Sequence, residues 1–193
     1  IDADVAYVTD ISRGTTLESK GNKVMTVEHT LAALTGLGID NVVIELDGPE
    51  TPILDGSSKP FIEALSAVGI EEQNSEKEYF EIKDIITYSE PERGVELIAL
   101  PSDSFRVSVM IDYNSKVIGT QYATLDNIDN FKDDVAPSRT FCFLHELEQL
   151  VEHNLIKGGD LSNAVVFVDR VIKEGELDHL AELLNKPKVS VKD

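Results

Sequence analysis

The stretch Glu71 Glu72 Gln73 Asn74 Ser75 Glu76 Lys77 carries no apolar side chain, so nothing in it can be anchored in a core. It separates residues with helical spacing from residues with strand character. That change predicts two domains, 1–73 and 78–193, joined by a linker at 74–77. A chain of 193 residues fits one large domain or two small ones, since a domain typically holds about 100–150. The composition shift decides for two, and 41% hydrophobic residues supply a core.

In the first part, Val27, Leu31 and Leu34 recur at spacings of four and three, which predicts a helix starting at Thr26. The Thr26 hydroxyl can cap the free amides, and Glu28 falls in the first turn, where the helix dipole favours an acid. Ala32 and Ala33 widen the apolar face, while Gly36 and Gly38 supply the stop. The β-branched run Asn41 Val42 Val43 Ile44 Glu45 Leu46, closed by Asp47 Gly48 Pro49, predicts a strand ending in a turn. A second helix follows, capped by Ser57 or Ser58, with Pro60 in its first turn and Phe61, Ile62, Leu65 and Val68 as its buried stripe.

In the second part, Tyr79–Tyr88, Val95–Leu100, Phe105–Tyr113 and Val117–Thr124 read as strands separated by Pro, Gly, Asn and Ser turns, an antiparallel meander. A helix is expected from Phe143 to His153, with Leu144, Leu147, Leu150 and Val151 on one side and Lys157 Gly158 Gly159 ending it. Asn163 to Val168 is again a strand, and Leu177 to Leu184 a last helix before Pro187. Asn41 Val42 Val43 Ile44 Glu45 Leu46 Asp47 aligns without gaps on Asn163 Ala164 Val165 Val166 Phe167 Val168 Asp169. This weak repeat predicts an α+β fold of two similar halves, each a mixed or antiparallel sheet with helices on one face.

Acidic residues outnumber basic ones by 36 to 17, a net charge of -19 that repels phosphate backbones and disfavours nucleic acid as a partner. No apolar run is long enough to span a bilayer, and Ile1 Asp2 Ala3 Asp4 lacks the features of a secretory signal, so the expected location is cytoplasmic. The start without a methionine, inside what reads as an extended segment, suggests a piece of something longer. The sole cysteine, Cys142, lies in the apolar run Phe141 Cys142 Phe143 Leu144 and reads as a buried structural thiol.

Chemistry must draw on four histidines and the many carboxylates. His145 Glu146 followed by His153 fails as a metalloprotease helix, because the position four after His145, where the second ligand must stand, is Gln149. Glu28 His29 places two ionisable residues in the first turn of an otherwise apolar helix, although spacing alone reads simply as a helix terminus. Asp55 Gly56 Ser57 Ser58 and Ser138 Arg139 Thr140 offer hydroxyls and a guanidinium that suit a polar ligand or ordinary caps. Gly158 Gly159 lacks the Lys-Ser/Thr continuation of a phosphate loop.

The run Val24 Met25 Thr26 Val27 Glu28 His29 Thr30 Leu31 Ala32 Ala33 Leu34, continuing through Gly36 Leu37 Gly38 Ile39 Asp40 Asn41 to Pro52 Ile53 Leu54 Asp55 Gly56 Ser57, strongly resembles the UDP-3-O-acyl-N-acetylglucosamine deacetylases of lipid A biosynthesis. Ser138 Arg139 Thr140 Phe141 and Lys157 Gly158 Gly159 Asp160 Leu161 Ser162 Asn163 Ala164 resemble that family's second-domain motifs, and Ser12 Arg13 Gly14 Thr15 Thr16 Leu17 its first-domain insert. The resemblance implies two similar α/β two-layer sandwich domains packed against each other with the site between them. It implies a zinc-dependent amidohydrolase acting on a UDP-linked acylated amino sugar, with His29 as a zinc ligand and Glu28 as general base. Thr140, Phe141 and Gly159 would contact substrate, and the helix from Phe143 and the strand from Asn163 would border an acyl passage.

The family completes its zinc site with a histidine and an aspartate one helical turn apart, and His179 has no aspartate four residues on. The expectation is therefore a large fragment whose parent carries the activity, and some family members are fused to a downstream dehydratase. Two alternatives stand beside it: a non-catalytic binding fragment of the same fold, and a zinc site completed between chains by His145 or His153.

Overall fold

The computed structural model describes residues 1–147, 162–173, 175–183 and 187. The chain opens with a three-stranded antiparallel sheet, β1 (Val8–Asp10), β2 (Thr16–Ser19) and β3 (Asn22–Val24), in that order. The β2–β3 turn places Lys20 at φ 51° and Gly21 at φ 79°, the two successive positive values that a tight two-residue hairpin needs. Helix α1 (Glu28–Gly36) and helix α2 (Lys59–Val68) follow. Pro60 sits in the first turn of α2 as expected, and Ile62 is its buried residue. Of the expected buried stripe, however, Phe61 and Leu65 are only partly buried, and Val68, the last helical residue before the Gly69 cap, is 82% exposed.

Two readings of the first part are corrected. Residues 41–46 form no strand, and Val42, Val43, Ile44 and Leu46 are exposed, because no other strand among the described residues offers a ladder to them. Of the two segments aligned as a repeat, only the second forms a strand, β9 (Val165–Phe167). Gly36 is also more than a stop. A Cβ built on it would lie 2.1 Å from Phe131 Cδ1, so the glycine is the floor on which the Phe131 ring rests.

Beyond the polar run, β4 (Ile86–Glu90) pairs antiparallel with β5 (Val95–Ala99), and β6 (Val107–Asp112) with β7 (Thr120–Leu125). These are two separate hairpins rather than one meander. Turns at 91–94 and 113–119 hold each pair, whereas Pro101, which lacks an N–H, interrupts the path between β5 and β6. The expected strand from Tyr79 shortens to its last residues, and Tyr79 and Phe80 are exposed. Helix α3 (Phe131–Asp134), β8 (Phe141–Phe143), a helical segment α4 described at 144–147, β9 and α5 (Glu176–Leu183) follow among the described residues. Strands β8 and β9 are parallel. The architecture is a mixed α+β fold.

The cores show what positions the site. One cluster joins Ala33 of α1 and Ile62 of α2 to Leu125, Phe131 and Ala136, so residues from both sides of the polar run share it. A second gathers Leu144, Leu147 and Leu180, with Cys142 and Val166 packed against it. Burial of the Cys142 thiol pushes its pKa up, reinforced by the Glu146 charge, which keeps it protonated and fits a packing role.

Candidate active site

The residues before α1 are held in an uncommon conformation. Thr26 has φ 58°, a left-handed geometry that a β-branched residue adopts only under constraint. The constraint comes from the turn opposite. Met25 N–H donates to the Pro49 carbonyl at 2.9 Å, Thr51 N–H to the Met25 carbonyl at 3.1 Å, and the Thr26 hydroxyl to Glu50 Oε1 at 2.6 Å. The buried Thr51 hydroxyl also donates to the Thr26 carbonyl. The expected capping role of Thr26 is therefore corrected: its hydroxyl is spent on Glu50, α1 starts at Glu28, and the cap position, Val27, gives no side-chain bond. The opening amides of α1 are left without a side-chain cap, a favourable place for anionic groups.

Glu28 and His29 stand at this start, both partly buried. The Thr15 amide donates to Glu28 Oε2 at 2.8 Å, and the Thr15 carbonyl accepts from Val27 N–H at 3.3 Å. Residue 15, at the mouth of β2, thus grips the helix start twice. Gly14 makes the approach feasible, since an added Cβ would meet Glu28 Oε1 at 3.3 Å. His29 has no hydrogen-bond partner among the described residues, so both its ring nitrogens are available.

The Asp55–Ser58 turn of the first part and the Arg139–Thr140 segment of the second, each read as a holder of ligand or a cap, are found holding one another. Arg139 Nε donates to the Asp55 carbonyl at 2.7 Å, and Thr140 N–H to the Gly56 carbonyl at 2.8 Å. The Thr140 carbonyl in turn accepts from Val165 N–H at 3.0 Å. Gly56 has φ 80°, and a Cβ there would lie 1.9 Å from the Asn163 carbonyl oxygen, so no other residue fits this junction. The Thr140 side chain remains exposed. Phe141 lines a cavity of about 400 Å³ together with Tyr113, Val117, Ile118, Gln121, Arg139, Val165 and Phe167. Its ring packs edge-on against Tyr113 and Phe167, with centroids 5.5 and 5.3 Å away. Gly159 and His153 lie outside the described residues.

Among the described residues no hydrogen bond joins Glu28 or His29 directly to Thr140 or Phe141; the two sets are linked through the loops just described. A further link was not foreseen from the sequence. Arg13 Nη2 lies 3.1 Å from Glu146 Oε1, and Glu146 Oε2 accepts from Phe143 N–H at 3.1 Å. Burial works against the charge on Glu146, yet the Phe143 amide and the Arg13 guanidinium hold its carboxyl below the usual carboxylate range. His145, tempting beside Glu146, is paired through Nδ1 with Asp169 and stacked on Phe143.

The donor chemistry bears on a metal. An unengaged imidazole beside a carboxylate suits zinc, but a catalytic centre takes about three protein ligands, and no group of three His, Cys, Asp or Glu side chains gathers among the described residues. His29 fits as one ligand. The described residues contain no helix long and apolar enough to cross a membrane.

Comparison with known proteins extends over the same ground. Residues 1–185 match the family of LpxC, UDP-3-O-acyl N-acetylglycosamine deacetylase. The chain is 46% identical over 187 residues to the bifunctional enzyme LpxC/FabZ of Bacteroides thetaiotaomicron, a match covering 97% of this chain and 41% of that one. It is 48% identical over 183 residues to the bifunctional enzyme LpxC/FabZ of Chlorobaculum tepidum, covering 94% and 39%. Against the UDP-3-O-acyl-N-acetylglucosamine deacetylase of Chromohalobacter salexigens it is 40% identical over 188 residues, covering 95% and 61%. The chain thus spans about 40% of the length of the bifunctional relatives. With the Glu28–His29 helix start, the Gly56–Thr140 junction and nearly every residue of the chain inside the match, the protein belongs to the UDP-3-O-acyl N-acetylglycosamine deacetylase family.

Proposed function

We propose that the protein hydrolyses the N-acetyl group of UDP-3-O-acyl-N-acetylglucosamine, a step of lipid A biosynthesis, as a zinc-dependent amidohydrolase of the cytoplasm. The observation that carries this reading is the start of α1, where Glu28 is oriented by the Thr15 amide next to the unengaged ring of His29. Glu28 takes a proton from the attacking water as the new C–O bond forms at the acetyl carbonyl. The C–N bond then breaks, acetate leaves, and the proton ends on the departing 2-amine. His29 would be a ligand of zinc, which when bound polarises the amide carbonyl and lowers the pKa of water to about 7. The exposed Thr140 hydroxyl suits a sugar or carbonyl oxygen, and the apolar cavity beside Phe141 suits the acyl chain. Gly159 belongs to the same substrate contacts by its place in the motif. The match to LpxC/FabZ proteins supports a downstream dehydratase fused to this chain in the gene product.

A second reading, a UDP-sugar or acyl-binding fragment without a working metal centre, is favoured by the lack, among the described residues, of any group of three His, Cys, Asp or Glu side chains placed to hold a metal. Zinc per chain after dialysis separates the two. About one zinc per chain of the full-length gene product, lost in His29→Ala, supports a metal centre, and none supports the binding fragment. In the full-length gene product, Glu28→Ala should keep its zinc while turnover falls about a hundredfold or more. Full activity in that variant would overturn the role given to Glu28.

A further inference from the structure

We infer that Arg13 is a positioning residue for Glu28, acting through the Gly14–Thr15 backbone and anchored by Glu146 of the second part; this rests on reading Glu28 as the base. Three contacts form one line. Glu146, in α4, is fixed by Phe143 N–H at 3.1 Å, Arg13 reaches Glu146 at 3.1 Å across 133 residues of sequence, and Thr15, two residues on from Arg13, gives its amide to Glu28 at 2.8 Å. Between the anchor and the grip stands Gly14, whose backbone is freer than that of any other residue. The Thr15 carbonyl is held on the helix side by Val27 N–H, and on the other side of the glycine hinge the tie is Arg13.

The pair is near the surface, with side chains 46% and 28% exposed, so it adds little to overall stability. Its consequence is geometric. A base shifted by about 1 Å from its productive place can lose rate by about a hundredfold, and the tether sets that place from the opposite part of the molecule. Because the hydrogen bonds of Arg13 and Glu146 go to each other and to Phe143 N–H, and not to Glu28 or His29, neither residue is assigned a part in the chemistry itself.

The test uses Arg13→Ala, Arg13→Lys, Glu146→Gln and the double variant Arg13→Ala/Glu146→Gln. Glu146→Gln keeps an oxygen for the Phe143 amide and removes only the charge that Arg13 meets. In the 193-residue protein, hydrogen exchange at the Thr15 amide should quicken about tenfold in Arg13→Ala and in Glu146→Gln, no further in the double variant, and less in Arg13→Lys. Unchanged Thr15 exchange in either single variant overturns the tether. In the full-length gene product kcat should fall about tenfold with KM within about twofold and zinc content unchanged. A parallel loss of zinc, or a rise in KM with kcat intact, would mean a general structural role and sink the proposal. A wild-type protein that releases no acetate would remove the reading of Glu28, and Thr15 exchange would then judge the tether by itself.

Discussion

Glu28 and Glu146 are both carboxylates gripped by a backbone amide, yet they answer to different forces. Among the described residues Glu28 meets Thr15 N–H alone, whereas Glu146 meets Phe143 N–H and the Arg13 guanidinium together. The folded pKa of Glu146 lies below its ordinary value of 4.5, so its contribution to stability is complete above that value and drains away as pH falls through the depressed one. Lowering the pH through that depressed value should therefore free Arg13 and quicken Thr15 amide exchange, with little change in thermal stability from so exposed a pair. In Glu146→Gln this acid-dependent part of Thr15 exchange should vanish. Of these residues, Glu28 and His29 were legible through a motif, because adjacency at a helix start carries too little information without it. Arg13 and Glu146 were not. A pair separated by 133 positions leaves no trace in the periodicity of one chain.

Among the elements, α1 teaches most, because two glycines at its end do different work. Gly38 has φ 67° and open space around it, so it needs only a residue that tolerates the left-handed region. Gly36 has no positive φ but has the Phe131 ring 2.1 Å from where a Cβ would be. Gly38→Asn should be close to neutral, while Gly36→Asn and Gly36→Ala should destabilise by about 1–3 kcal/mol through overpacking, measured by urea unfolding. Equal losses at both positions would contradict this division. Sequence reading gave both the same role, since a glycine near the end of a helical pattern signals a stop and nothing local announces a distant ring. Residues 41–46 show the same limit for strands. Their β-branched composition favours an extended chain, but pairing depends on a partner, and the composition names none. The hairpins, by contrast, were close to legible, because turn residues fix both the break and the register. The Gly56–Thr140 contact belongs to this scale too: Gly56→Ala should loosen β8 and quicken Thr140 amide exchange while leaving exchange in α2 unchanged.

The molecule as a whole combines a net charge of -19 with apolar side chains open to solvent, among them Val43 at 86% and Phe80 at 90% exposure. Charge repulsion and apolar attraction oppose each other across the surface. Salt at about 1 M, which shortens the screening length to about 3 Å, should shift the isolated chain toward self-association in sedimentation velocity, with the monomer favoured at low salt. A monomer insensitive to salt would show that the exposed apolar residues do not attract one another. The parallel pairing of β8 with β9 sets an order of events as well. Antiparallel neighbours can close through a few residues, but Phe141 and Val165 meet only after the long stretch between them has come round. The hairpins and the α1–α2 pair can assemble early, and the strand that carries Phe141 locks late. In time as well as in space, the protein completes its scaffold before the wall of the cavity beside Phe141, so slow steps in refolding should report on β8 and β9 rather than on the helix that bears Glu28.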